Sequence, residues 1–300
     1  MSYFHYGQLN VKISDEIFSQ VQQTQGIFFN KISNVDPVKI AADLLSLEKP
    51  LYQAQILSEY VSLDNKIVLE VGSGLGINHL VWNKKFNING YGLEPDSVGF
   101  DSSHKISKEL LTLNGLNPER IIDAGGEKLP FPNDFFDVVY SANVLEHVRQ
   151  PALVLDEALR VLRPGGILQF IYPNYHSVFD GHYAVFHPPI LRPAFFPWYV
   201  KTFFHRDPGF AKTLHTEINV LWTQKQLTLL RQKYAFEVLS LGRQVFLERM
   251  HTLNFEAWAG LTKVKSALNR VHQLGLTALV AKVILLLKAW TPIILTLKKH

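Results

Sequence analysis

Cysteine is absent from the 300 residues. That excludes disulfide bonds and thiolate metal sites, and it suits a reducing compartment. The opening segment, MSYFHYGQLNVKISDE, has neither a basic n-region nor an apolar h-run. No signal peptide is expected, and the chain is placed in the cytoplasm. Internal repeats and low-complexity stretches are also missing. The most apolar helical stretch, Leu274 to Trp290, is interrupted by Lys282 and Lys288. A spanning helix needs about 20 apolar residues, and central lysines are costly there, so none is expected.

Acidic residues stop at Glu256. Beyond it Lys263, Lys265, Arg270, Lys282, Lys288, Lys298 and Lys299 supply seven positive charges, so the preceding part carries −3 of the net +4. A basic tail on a mildly acidic body points to an anionic surface as partner. The tail is rich in Leu, Ile and Val, which favours a membrane over nucleic acid. This extends the localisation to a peripheral position on the inner face of a membrane. Leu274 to Trp290 is then either a helix buried against the domain or an interfacial one with lysines reaching lipid phosphates.

What the chain does contain is globular: 47% hydrophobic and 19% charged residues, enough for one large domain with insertions. Asp36 to Leu63 reads as one or two helices, with Asp36-Pro37 as N-cap and first helical residue. From Lys66, short apolar runs alternate with amphipathic segments: Ile67–Val71, Ile88–Leu93, Arg120–Asp123, Phe136–Tyr140 and Ile167–Tyr172. This alternation predicts an α/β fold whose mostly parallel sheet is covered on both faces. Tyr183 to Phe204 holds eight aromatics and four prolines, too irregular for a helix or a central strand. It reads as a cap, an apolar contact surface or a small auxiliary core. A helix from Thr223 to Lys233, a strand at Phe236–Leu241 and a long helical region from Phe246 to Trp290 follow. Ile293–Leu297 is short, apolar and opened by Pro292, which predicts a last strand.

The chemistry concentrates in Glu70-Val-Gly72-Ser73-Gly74-Leu-Gly76, directly after an apolar strand. Glycines there let the backbone turn sharply and approach a ligand in front of a helix N-terminus. A dinucleotide site wants its third glycine at 77, which is Ile, so a nicotinamide-dependent oxidoreductase is the less favoured reading. Glu94, followed by Pro95, ends the next strand, where a carboxylate can accept from both hydroxyls of a ribose.

VLEVGSGLG, YGLEPD, GGEKLPFPNDFFDVVYSANVLEHV and LRVLRPGGIL together resemble the successive motifs of the class I S-adenosylmethionine-dependent methyltransferases, near the ubiquinone and menaquinone biosynthesis group. The resemblance implies a Rossmann-like fold with a seven-stranded sheet and an antiparallel last strand. Residues 1–63 would be an N-terminal helical segment and 64–245 the core, with its cap at about 173–222. A helical insertion, 246–291, would precede the closing strand at 292–300. It also implies S-adenosyl-L-methionine as cofactor. Glu70 would meet the methionine amino group, and Gly72, Ser73, Gly74 and Gly76 would contact the methionine and ribose portions. Glu94 and Pro95 would hold the ribose, Gly126 and Glu127 would line the adenine, and Asn143 would sit beside the sulfonium.

Relatives often carry Asp at the position of Gly125; here Asp123 is two residues early. Some bind a metal through E-x-x-E-H, but this chain has Asn143-Val-Leu-Glu146-His147. Losing the first carboxylate removes a hard-cation ligand, so no metal is expected. His147 and His182 are the candidate general bases for a small or lipid-linked apolar acceptor, with His176 and His187 as rivals. Oxygen is favoured over nitrogen or carbon. A non-catalytic cofactor- or lipid-binding module on the same fold is the other alternative.

Overall fold

The alternating apolar runs form one seven-stranded sheet in the computed structural model, which describes residues 2–6, 9–96, 102–188, 193–253 and 262–300. Its strands are β1 (Ile67–Val71), β2 (Asn89–Leu93), β3 (Ile121–Ile122), β4 (Phe136–Ala142), β5 (Leu162–Tyr172), β6 (Phe236–Leu241) and β7 (Ile293–Lys299). They lie side by side in the order β6-β7-β5-β4-β1-β2-β3. β1 to β5 pair in parallel. β7 is antiparallel to both of its neighbours, with Ile293 opposite Tyr172 of β5 and Lys299 opposite Phe236 of β6. The last strand therefore has the expected direction and runs two residues further.

Both faces of the sheet are covered, which is why its strands read as nearly continuous apolar runs. In β1, Val68 joins the core under one face, while Leu69 and Val71 join the core under the other. The first face carries α1 (Asp15–Val21), α3 (Pro37–Leu44), α4 (Glu48–Ser58), α5 (Ile77–Phe86) and α6 (Ser103–Leu113). α2 (Ile27–Ser33) continues α1 through a π-turn at Gln22–Gly26. Asp36 caps α3 as expected, accepting from the Val38 and Lys39 N–H groups at 2.8 and 3.3 Å. α5 is tied to α4 by Trp82, whose indole donates to the Pro50 carbonyl at 2.8 Å. The second face carries α7 (Pro151–Val161) and α9 (Val220–Leu230).

Two expectations need correction. The aromatic segment does contain a helix, α8 (Phe196–Phe204). Pro197 lies in its first turn, where the missing N–H costs nothing. The region from Phe246 to Trp290 is also not continuous. It divides into α10 (Arg243–Thr252), α11 (Thr262–Gln273) and α12 (Thr277–Leu286), with breaks at Leu253 and Gly275, both at positive φ. Residues 254–261 of that region lie outside the described residues. Among the described residues no helix is long and apolar enough to cross a membrane.

Candidate active site

The glycine loop leaves β1 at the carboxyl edge of the parallel strands, the edge where open α/β sheets bind ligands. Gly72, Gly74 and Gly76 all have positive φ, at 71, 52 and 71°. A methyl group on Gly72 would strike the Val144 side chain, which closes the loop on the segment after β4. A methyl group on Gly74 would meet nothing within 4 Å, so the backbone there faces open space. Glu94, at the end of β2, accepts from the Gly74 N–H at 2.8 Å and holds the loop's centre. Ser73 donates its N–H to the Leu93 carbonyl at 2.8 Å.

Two carboxyl groups beside this loop are costly to ionise. Burial pushes Glu70 up to about 8, against the hydrogen bond donated by Asn78 Nδ2 at 2.7 Å; the charge of Glu94 adds to the rise. Its Oε2 has no hydrogen-bond partner within the protein. A buried carboxylate with one unmatched oxygen fits an ammonium group. Burial likewise raises Glu94 to about 7, opposed by the Gly74 N–H. Pro95 follows it, half-buried. The loop after β3 holds Gly126, packed against Val71 and Val154. Glu127 accepts from the Arg149 N–H at 2.9 Å, joining that loop to the segment after β4. Asp123, just past β3, accepts from the Asp96 N–H at 3.0 Å. Asn143 sits exposed just past β4 at φ 56°, a left-handed conformation that asparagine tolerates. Its N–H donates to Ile171 of β5 at 2.8 Å. The residues thus fit the adenosyl-methionine portions assigned to them: an unmatched acid, an open glycine cradle and a strand-end carboxylate on one edge.

Beyond Val144, the fold brings together residues far apart in sequence. Glu146 is wholly buried, and neither of its carboxylate oxygens has a hydrogen-bond partner. His147 Nε2 lies 3.8 Å and His182 Nε2 3.7 Å from Glu146 Oε1. On the other side of His182, Asp180 Oδ2 is 3.7 Å from Nδ1. The hydroxyl of Tyr175 is also buried without a partner, and its ionisation is suppressed by burial and by the charges of Asp180 and Glu146. Phe210 packs over both imidazoles, with ring centroids 5.5 Å from each. His176 and His187 stand apart: the first donates its N–H to Asn174 Oδ1, and the second has Nδ1 3.1 Å from the Pro188 carbonyl.

The environment separates the two histidines. Burial, reinforced by the neighbouring His182 and His215, holds His147 well below the usual imidazole range, so it stays neutral. Burial opposes the charged form of His182 too, but the carboxylates of Asp180 and Glu146 outweigh it and raise the group. Glu146 is itself pushed to about 7 by burial. Glu146, His147 and His182 each present one ligand atom, all within 4.8 Å of one another. That donor set could hold a divalent ion, and without one it is a proton-transfer cluster.

The cap surrounds this cluster. Tyr183, Val185, Phe196, Val200 and Ala211 form a small core with Ile32 of α2. Tyr183, Phe196, Tyr199 and Phe204 are therefore packing residues, while Phe186, Phe195, Trp198 and Phe203 are exposed. A cleft of about 610 Å³ runs between α8 and residues 208–217. Leu214 and Thr216 in its wall flank His215, whose N–H donates to the Glu146 carbonyl at 3.0 Å. Sequence reasoning missed Asp180, Tyr175, Asn78 and Phe210. An acid two residues before His182, and an amide in the first turn after the glycine loop, were the available signals.

Comparison with known proteins agrees with this fold. Residues 69–170 match a family described as a methyltransferase domain. The chain is 36% identical over 118 residues to an uncharacterized methyltransferase of Mycolicibacterium vanbaalenii, covering 38% of this chain and 42% of that protein. The chain thus spans less than half the length of that relative. It is 31% identical over 176 residues to the ubiquinone/menaquinone biosynthesis C-methyltransferase of Rickettsia rickettsii, covering 57% of this chain and 70% of that one. A solved S-adenosylmethionine-dependent methyltransferase from Mesorhizobium loti has the same fold, at TM-score 0.52 and 14% identity over 85% of this chain and all of that one. With the glycine loop, the two strand-end acids and the sheet order in place, the chain belongs to the class I S-adenosylmethionine-dependent methyltransferase family.

Proposed function

We propose that this protein transfers a methyl group from S-adenosylmethionine to an oxygen of an apolar or lipid-linked acceptor. The observation that supports it best is the buried Glu146–His182–Asp180 cluster, placed just past the residue that the glycine loop touches. When bound, the cofactor supplies a methyl group already activated on a cationic sulfur. Glu70 binds the amino group, Glu94 the ribose, and the Gly72–Gly76 backbone sets their distance from Asn143. His182 accepts the proton of the acceptor hydroxyl, and its new charge is held between Asp180 and Glu146. The freed oxygen would be the nucleophile for that methyl group, with sulfur leaving on the electron pair of the carbon–sulfur bond. Positioning supplies much of the rate, since the leaving group needs no further activation. The acceptor body lies under the cap, where Phe210 covers the two imidazoles and the cleft beside Trp198 has apolar walls edged by Lys201, Lys212 and Glu217.

Transfer to carbon is a second reading, favoured by the name of the rickettsial relative. Deprotonating a phenolic hydroxyl also makes the ring carbons nucleophilic, so the same base serves either outcome. The test is methyl transfer from labelled cofactor to a panel of hydroxylated aromatic and lipid-linked acceptors. Transfer in the parent protein that fails in His182→Ala, with the product's methyl position read by mass spectrometry, supports the assignment. Equal turnover in both proteins would remove His182 from the reaction.

A further inference from the structure

The helical insertion leaves and rejoins the sheet at the cofactor edge. β6 ends there at Leu241, whose carbonyl accepts from Trp290 Nε1 at 2.9 Å. β7 starts beside the end of β5, where Asn174 Nδ2 donates to the carbonyls of Lys288 and Trp290 at 2.8 and 2.7 Å. α12 ends just before these residues and is anchored at that edge. Its inner side is committed to the fold, with Ala281 buried and Ile284 and Leu285 packed on the core.

The outer side is apolar as well. Leu279, Val283 and Leu286 follow the i, i+4, i+7 stripe of a single helix face and are 59, 45 and 81% exposed. Leu274, Leu276 and Leu287 extend the patch. A surface helix ordinarily turns charged residues outward; here the outward side of α12 carries one, Lys282. Lys265 and Arg270 stand on the preceding helix, and no acidic residue occurs after Glu256. None of the described ion pairs involves Lys265, Arg270 or Lys282. The stretch is thus buried against the domain on one side and exposed on the other.

We propose that the outer face of α12 docks on an anionic lipid surface, with Leu279, Val283 and Leu286 entering the headgroup boundary and Lys282 pairing with lipid phosphates. An apolar stripe with a lysine beside it and no acidic residue on its own helix or the preceding one has the chemistry of an interfacial helix. A second copy of the chain is a poorer occupant, because a two-fold contact through this face would bring the same cations together. Docking there turns the cofactor edge toward the bilayer, so a lipid-linked acceptor enters without crossing water. That consequence rests on the proposed acceptor site; the docking itself does not.

Flotation of the full chain with vesicles tests this. Vesicles of phosphatidylcholine containing phosphatidylglycerol should carry the protein upward at low salt, and pure phosphatidylcholine should carry much less. Lys282→Glu should lower the partition by about 25-fold, taking fivefold for each unit of charge. The exposed triple variant Leu279→Ser/Val283→Ser/Leu286→Ser should lower it by at least about 100-fold. S-adenosylhomocysteine binding, unchanged in both variants, shows that they fold, and it separates failure of docking from failure of the methyltransferase reading. A protein that stays at the bottom of the gradient with anionic vesicles overturns the proposal. So does partition that ignores salt and lipid charge. A concentration-dependent dimer in sedimentation velocity that the triple variant abolishes overturns it in favour of self-association.

Discussion

The cofactor half of the site and the acceptor half are built on different principles. Glu70, Gly72, Gly74, Gly76 and Glu94 lie within 25 consecutive residues and are set by two adjacent parallel strands. Glu146, Asp180 and His182 come from the end of β4 and from an insertion after β5, and Phe210 arrives later still. The first half is a local motif whose geometry follows from a strand, a turn and a helix. The second exists only once the cap has packed on α2. A reaction shared by many acceptors suits that division, since the cap can vary without disturbing the loop.

The difference can be broken or sharpened by measurement. The largest effect is expected in the acceptor half: His182→Ala should lower kcat by about 100- to 10,000-fold, the usual worth of a positioned base. Calorimetry on the same variant should show unchanged S-adenosylhomocysteine affinity. A parallel loss of affinity would mean that the two halves are one unit. In the cofactor half, Glu94→Ala should weaken S-adenosylhomocysteine binding by at least about 1 kcal/mol. Glu94 also holds the Gly74 N–H, so both a ligand contact and loop order are lost. Unchanged affinity would refute the ribose assignment.

A smaller effect follows from burial. With Glu70 raised to about 8, the empty site binds a proton there at neutral pH. Pairing with the cofactor's ammonium favours the ionised form, so binding expels that proton and affinity falls as pH drops below about 8. Calorimetry in buffers of different ionisation enthalpy should show proton release at pH 7 that disappears in Glu70→Gln. Because Glu70, Glu94 and Glu146 are all raised above the carboxylate value of 4.5, the folded protein holds these protons more tightly than the unfolded chain. Stability of the unliganded protein should therefore decline as pH rises from about 4.5 toward 8. The smallest expected effect is none: activity should survive EDTA, because Asn143 stands where the first carboxylate of the E-x-x-E-H pattern would be. Loss restored by zinc would convert the proton relay into a metal centre.

How much of this could be read from the sequence differs along the same divide. β1 and the start of β7 are legible because both faces of each strand are buried, leaving apolar runs broken only by Glu70 and Thr296. The glycine loop is legible because positive φ at 72, 74 and 76 leaves little choice of residue. α8 was hidden by Pro197, which marks a helix start when it falls in the first turn and a break elsewhere. The breaks at Leu253 and Gly275 were hidden because leucine gives no local signal for a left-handed turn, and one glycine is a weak one. The pairing of His182 with Glu146 spans 36 positions and no periodicity records it. The outward apolar stripe of α12 left two readings open, buried or interfacial, since a sequence shows that leucines share a side but not what lies beyond it.

The place of β7 bears on how the domain is made. It is one of the latest segments in the chain, yet Ile293, Leu295 and Leu297 are completely buried and the strand lies between β5 and β6. During synthesis β5 must wait for more than 120 residues before its neighbour exists, and β6 has no partner in the sheet until then. Contacts that distant in sequence fold slowly, and an unpaired apolar strand edge is prone to stick to other chains while it waits. Until β7 forms, the five parallel strands leave β5 unpaired on one side, and β7 then enters between β5 and β6 as a wedge.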